Sequence, residues 1–208
     1  MKFFPAAVLA LACAFSAHAD RIIYSSGPIS MDSYGDWIGN QIISDPFTVN
    51  DSTKLISITA GLQMDYQDFA LPVSVDWSIG TSPGASDVGS GVATIVSNTY
   101  LGLAYGGRYP TYASTFDVSG WVNTNTTYWL TLTGGEPNAL DWDINRFGPI
   151  ALYDSQYYGW SPTGDGEAFS VLGVPDMAST GWLLGFGAAL MLSVAAPWNR
   201  RLAGFSRA

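Results

Sequence analysis

A hydrophobic period of two across the middle of the chain constrains its fold more than any other feature. Val73, Val75, Trp77 and Ile79 alternate with Ser74, Asp76 and Ser78. Successive side chains take opposite faces in a strand, so this spacing predicts one apolar and one wet face. Ile56, Ile58, Ala60, Leu62 and Met64 repeat the pattern, with Leu55 facing the other way. Tyr128, Leu130 and Leu132 alternate with Thr127, Trp129 and Thr131. Shorter strands are expected at 21–24, 46–49, 92–96, 111–118 and 167–172, and a loop from Trp160 to Gly166. Clusters such as Thr81-Ser82-Pro83-Gly84, Gly106-Gly107 and Gly134-Gly135 mark the turns between strands. This stretch carries no helical stripe. Short strands at such spacing predict an all-β chain: a single antiparallel β-sandwich, jelly-roll-like, as the ectodomain.

The two ends follow different rules. Lys2, an apolar run over 3–14 and the small-residue site Ala17-His18-Ala19 form a secretory signal peptide, with Ala17 and Ala19 at the cleavage site. Cys13 and His18 are the single cysteine and histidine of the sequence, so cleavage removes both. A mature chain without thiol or imidazole excludes disulfides, Ser-His-Asp and Cys-His catalysis, and zinc, haem or iron–sulfur sites built on those groups. At the far end, Val174-Pro175-Asp176 leads through Ser179-Thr180 into an uncharged stretch, 181–198, followed by Arg200 and Arg201. Counted from Met177, this apolar run reaches the roughly 20 residues that a spanning helix needs. The arginines favour a cytoplasmic C-terminus. The expected organisation is a signal peptide over 1–19, an ectodomain over 20–173 and a C-terminal signal over 174–208. That last part divides into a motif (174–180), a transmembrane helix (181–198) and a basic tail (199–208).

The order of Pro-acid motif, apolar helix and basic end resembles the C-terminal sorting signals of the PEP-CTERM class. The closest variant reads V-P-D-S-G-S-T; this chain reads V-P-D-M-A-S-T and differs at Met177 and Ala178. Ile22-Ile23-Tyr24-Ser25-Ser26-Gly27-Pro28, Pro46-Phe47-Thr48, Val75-Asp76-Trp77-Ser78-Ile79-Gly80, Thr127-Tyr128-Trp129-Leu130-Thr131-Leu132 and Asp141-Trp142-Asp143 also run in an order similar to β-sandwich proteins that carry such tails. The resemblance implies a surface protein of bacteria that make extracellular polysaccharide. It implies export through the secretion machinery and signal peptidase, then processing by an exosortase-like membrane enzyme. Val174, Pro175, Asp176, Ser179 and Thr180 are the implied sorting motif, and Arg200 and Arg201 the basic stop. The implied route is an inner-membrane-anchored precursor, then the cell surface or matrix.

Charge and side-chain chemistry limit the function further. Residues 20–174 hold sixteen acidic side chains against four basic ones, Arg21, Lys54, Arg108 and Arg146. Such a balance disfavours nucleic acid and anionic membrane faces. The expectation is a non-enzymatic structural or matrix protein associated with extracellular polysaccharide or biofilm. One alternative is a carbohydrate-binding module, with Tyr157, Tyr158 and Trp160 as glycan contacts and a second tyrosine-rich stretch at Tyr100, Tyr105, Tyr109 and Tyr112. Another is a glycan hydrolase using carboxylates such as Glu136, Asp141 or Asp143. No cofactor is required, but Asp141-x-Asp143-x-Asn145 has the opening spacing of a calcium loop. It lacks the following glycine and the glutamate at the twelfth position, so only a looser calcium site, recruiting Asp154 or Asp165, fits. The competing reading is Asp and Asn side chains that cap their own turn, or alternate Asp residues facing water from an edge strand.

Overall fold

The computed structural model describes residues 20–31, 34–39, 41–64, 70–137, 140–146, 148–155 and 159–176. The expected signal peptide, Ser179, Thr180, the apolar run and the basic tail lie outside the described residues. Among those described, the regular structure is entirely strand. The first half of the chain supplies β1 (Arg21–Ser25), β2 (Asp36–Trp37), β3 (Ile42–Thr48), β4 (Thr53–Met64), β5 (Ser74–Gly80), β6 (Gly89–Ala104) and β7 (Tyr109–Val122). The second half supplies β8 (Thr127–Glu136), β9 (Leu140–Trp142), β10 (Ile144–Asn145), β11 (Leu152–Ser155), β12 (Gly159–Pro162), β13 (Gly166–Glu167) and β14 (Phe169–Pro175).

The pairing is antiparallel and follows the order β1-β14-β4-β7-β6-β5-β8-β3-β11-β12. β9 pairs with β2 and with the end of β4, and β10 and β13 form a short ribbon of their own. The long sheet curls into a half-barrel because β6 serves both halves. Residues 89–94 pair with β5, while Ile95 onward pairs with β7, with register shifts at Ile95/Ser97 and Tyr100/Gly102. Bulges of this kind add twist and bend a strand.

The inward face carries the core. Ile58, Ala60 and Leu62 of β4, Val75, Trp77 and Ile79 of β5, and Leu130 and Leu132 of β8 are buried together. Each large side chain contributes about 1.5–3 kcal/mol by leaving water. A chain of rings then ties the two halves. Phe47 on β3 meets Tyr128 on β8 at 5.9 Å, Tyr24 on β1 at 5.6 Å and Phe169 on β14 at 6.1 Å. Phe169 packs in turn on Trp142 of β9 at 5.7 Å.

Local differences from the sequence pattern have identifiable causes. A bulge between Leu55 and Ser57 shifts the phase of β4, so Leu55 is buried and Ile56 only half-buried. Val73 precedes β5 and is exposed. Within β6 the predicted strand 92–96 exists, but Val92 and Val96 point outward and Ala93 inward. Of the expected loop from Trp160 to Gly166, Trp160 to Pro162 belong to β12, paired with β11, residues 163–165 form a bend, and Gly166 opens β13. Thr131 is buried rather than wet: its hydroxyl lies 2.6 Å from that of Ser44, and the Gly84 N–H donates to both. β14 runs beyond the expected end of the ectodomain, with Val174 opposite Lys54 and Pro175 opposite Thr53. Asp176 follows, exposed.

Candidate functional site

Two side-chain clusters stand out from this scaffold. The first is an exposed group of tyrosines on the β6–β7 ribbon. Tyr34, Tyr105 and Tyr109 pack edge-on or tilted, with ring centroids 5.0–6.2 Å apart. Tyr34 and Tyr105 keep about half of their surface in solvent, at 45% and 51%. Tyr100 and Tyr112 face each other across the same ribbon, with centroids 5.5 Å apart. The tip is a tight turn in which Tyr105 adopts φ 46°, followed by Gly106 at 70° and Gly107 at 86°. A positive φ is costly for a residue with a Cβ, and such positions concentrate at binding and active sites. The second tyrosine stretch named from sequence is therefore brought together. Tyr157 and Tyr158 lie outside the described residues. Trp160 is half-buried on β12 and covers Gly84, where an added Cβ would sit 2.8 Å from the indole.

The second cluster is acidic and internal. Ile43, Asp45 and Phe47 alternate inward along β3, and Glu167 occupies the same inward phase before Phe169 and Val171. Asp45, Asp143 and Glu167 have no exposed surface. Asp45 Oδ2 accepts the Glu167 backbone N–H, and Asp143 Oδ1 accepts from the Gln63 amide. Asp45 Oδ1 is buried without a hydrogen-bond donor, and Glu167, also buried, has only the carboxyl of Asp36 as a side-chain hydrogen-bond partner. The segment is fixed by its backbone: Asp143 N–H donates to Gly61 O at 2.8 Å, Gly61 N–H to Ala168 O at 2.9 Å, and Ala168 N–H to Asp143 O at 2.8 Å. Gly61 admits this approach, since a Cβ there would lie 2.9 Å from the Asp143 Cβ and from Ile29.

Negative charge accumulates at that point. Burial pushes the Glu167 carboxyl well above its ordinary range, and Asp36, Asp45 and Asp143 push it the same way. Burial also raises Asp45 to about 8, against the opposing pull of the Glu167 N–H. Asp36 on β2 is raised by burial, less the effect of a hydrogen bond with Glu167, with Asp165 adding to the rise. The ion pair recorded among the described residues, Arg21–Asp51, is exposed and involves none of these groups.

The Asp141-x-Asp143-x-Asn145 triplet runs from β9 into β10. Asp141, Asp143 and Asn145 are all buried, which corrects the expectation of carboxylates facing water. Asp143 belongs to the acidic cluster, whereas the Asn145 amide donates to the Ser26 carbonyl. Arg146 is exposed. Glu136 is exposed at the end of β8. Asp45 and Glu167 carried a signal that strand periodicity could have found: each places a carboxylate at an inward position of an apolar alternation. No family model matches this chain, and no curated protein matches it in sequence.

Proposed function

We propose that the chain is an exported bacterial surface protein with a non-enzymatic role in a polysaccharide or biofilm matrix. Its ectodomain is read as a jelly-roll-like β-sandwich, delivered by the signal peptide and sorted through Val174-Pro175-Asp176, Ser179 and Thr180 by an exosortase-like enzyme. The observation that carries this reading is the pairing of a cleavable export signal with a Pro-acid motif, an uncharged run and Arg200-Arg201 at the other end. Intact mass and C-terminal sequencing of the mature protein from fractionated cells test it. A new C-terminus close to Asp176 is expected; a chain that still ends beyond Arg201 rejects the sorting step.

The tyrosine cluster favours a second, compatible reading as a carbohydrate-binding surface. Tyrosine offers a flat apolar ring with a polar tip, which suits a sugar face and its hydroxyls. Tyr34, Tyr105 and Tyr109 supply three such rings at one tip, and Tyr100 adds another along the ribbon. Affinity electrophoresis in gels containing extracellular polysaccharide tests this. Retention that falls in Tyr105→Ala and Tyr109→Ala supports it, and migration unaffected by polysaccharide overturns it.

A further inference from the structure

The β6–β7 ribbon departs from the charge of the rest of the ectodomain. From Val88 to Phe116 the sequence has no Asp or Glu, and Arg108 is its only charged side chain. Arg108 sits in the turn at the tip, exposed, and its backbone N–H donates to Ala104 O at 3.0 Å. Among the described residues no carboxylate pairs with its guanidinium. Tyr105 and Tyr109 flank it with ring centroids 6.2 Å apart, and Tyr34 meets Tyr109 at 5.0 Å. Between them, a Cβ built on Gly106 or Gly107 meets nothing within 4 Å. The backbone joining the two tyrosines is therefore uncovered. The tip also stands at one end of the sheet. Gln63 opposite Thr111 marks that end of the β4–β7 ladder, and Thr53 opposite Val122 marks the other, about 30 Å away at the rise of a strand. β14 ends beside Thr53, at the far end from the tyrosines.

We propose that this tip binds a carboxylated glycan, a polymer of uronic acid units, with Arg108 taking the sugar carboxylate and Tyr105 and Tyr109 lying against the pyranose faces. The proposal rests on the carbohydrate-binding reading and adds the class of sugar. A guanidinium presents a planar fork that matches a carboxylate with two parallel hydrogen bonds, which a lone ammonium does not. Tyrosine rings supply the apolar contact and a polar rim for the hydroxyls. The negative charge elsewhere then acts as a filter. An acidic polymer is repelled over most of the ectodomain and meets a cation beside exposed rings at one place. That repulsion does not reach the tip at physiological ionic strength, where exposed charges are screened beyond about 8 Å. Asp117, the acidic residue of β7, lies about 30 Å down the strand from Arg108.

The test runs the full chain in nonionic detergent, at about 0.15 M salt, through gels that hold polygalacturonate, its methyl-esterified form, alginate or dextran. Retention is expected with polygalacturonate or alginate. Affinity should fall about tenfold in Arg108→Gln, and retention should disappear in Tyr105→Ala. Esterifying the polymer should cost about as much as Arg108→Gln, because each removes one partner of the same ion pair. Arg108→Lys keeps the charge without the fork and should recover part of the loss. Lys54→Gln removes an exposed cation at the opposite end of the sheet and should leave retention unchanged. A Tm for each variant close to that of the unmodified chain shows that the fold is intact. Equal retention by acidic, esterified and neutral polymers, lost in Tyr105→Ala but not in Arg108→Gln, would overturn the uronate assignment and leave the carbohydrate-binding reading standing. Retention by none of the polymers would overturn both. Equal losses in Lys54→Gln and Arg108→Gln would also overturn the proposal, by reducing it to general charge attraction.

Discussion

The tyrosine ribbon and the acidic cluster place polar chemistry in opposite settings. The tyrosines come mostly from one hairpin, so residues close in sequence become neighbours through a single turn. The carboxylates come from four separated segments and meet only after the sheet has closed. The tyrosines remain wet and cost the fold little beyond the strained turn at Tyr105. The carboxylates lie beside the Phe47–Phe169–Trp142 rings, where an unbalanced charge is felt in full. A surface site can thus vary without endangering the domain, whereas an internal one is bound up with its stability.

Four changes sharpen that contrast. Phe169→Ala removes the ring between Phe47, Tyr24 and Trp142 and should cost about 3–5 kcal/mol in urea unfolding. A cost below about 1 kcal/mol would show that the carboxylate wall does not rest on this packing. Next in size is a pH effect. Asp45 and Glu167 are raised above their unfolded values. Their contribution is therefore fully present below about pH 4 and is lost as pH rises through the folded values, about 8 for Asp45. The protein should lose several degrees of Tm between mildly acidic and mildly alkaline buffer. Glu167→Gln should flatten that slope, and a Tm that rises with pH would refute the internal-charge account.

The tyrosines should behave in the opposite way. Tyr105→Ala is expected to change stability by less than about 1 kcal/mol, yet to weaken polysaccharide retention. Large destabilisation without a binding defect would make the cluster structural. The smallest effect belongs to Asp87, whose carboxylate accepts from the Thr81 N–H at 2.9 Å and hydroxyl at 3.1 Å. Those bonds hold its pKa low, so their contribution is present above the unfolded value and disappears as pH falls through the folded one. Asp87→Asn should lower Tm slightly at neutral pH and not at all in strong acid, as thermal melts at the two pH values would show.

The sequence made the long strands legible because their alternation is local. Val75, Trp77, Ile79, Leu130 and Leu132 all face inward as their spacing requires. Leu55 was harder, since a bulge changes phase without a marker residue. The short strands β2, β10 and β13 depend on distant partners and have too few residues to show a period. Asp45 was hidden for a related reason: the expected strand began at Pro46, one residue after the inward carboxylate. Glu167 was read as a strand start, and only its phase with Phe169 and Val171 reveals that it points inward. The tyrosines were visible as a composition, but their edge-on contact with Tyr34 needed the fold.

β14 lies between β1 and β4, with Arg21 opposite Gly173 and Pro175 opposite Thr53. The sheet therefore cannot be completed until residues 169–175 are available, because this interior strand is the last in chain order among the described residues. Until then β1 and β4 present unpaired edges, the kind of surface that recruits chaperones or joins to another chain. Insertion of β14 between β1 and β4 is thus the step that joins the two ends of the described chain into one sheet.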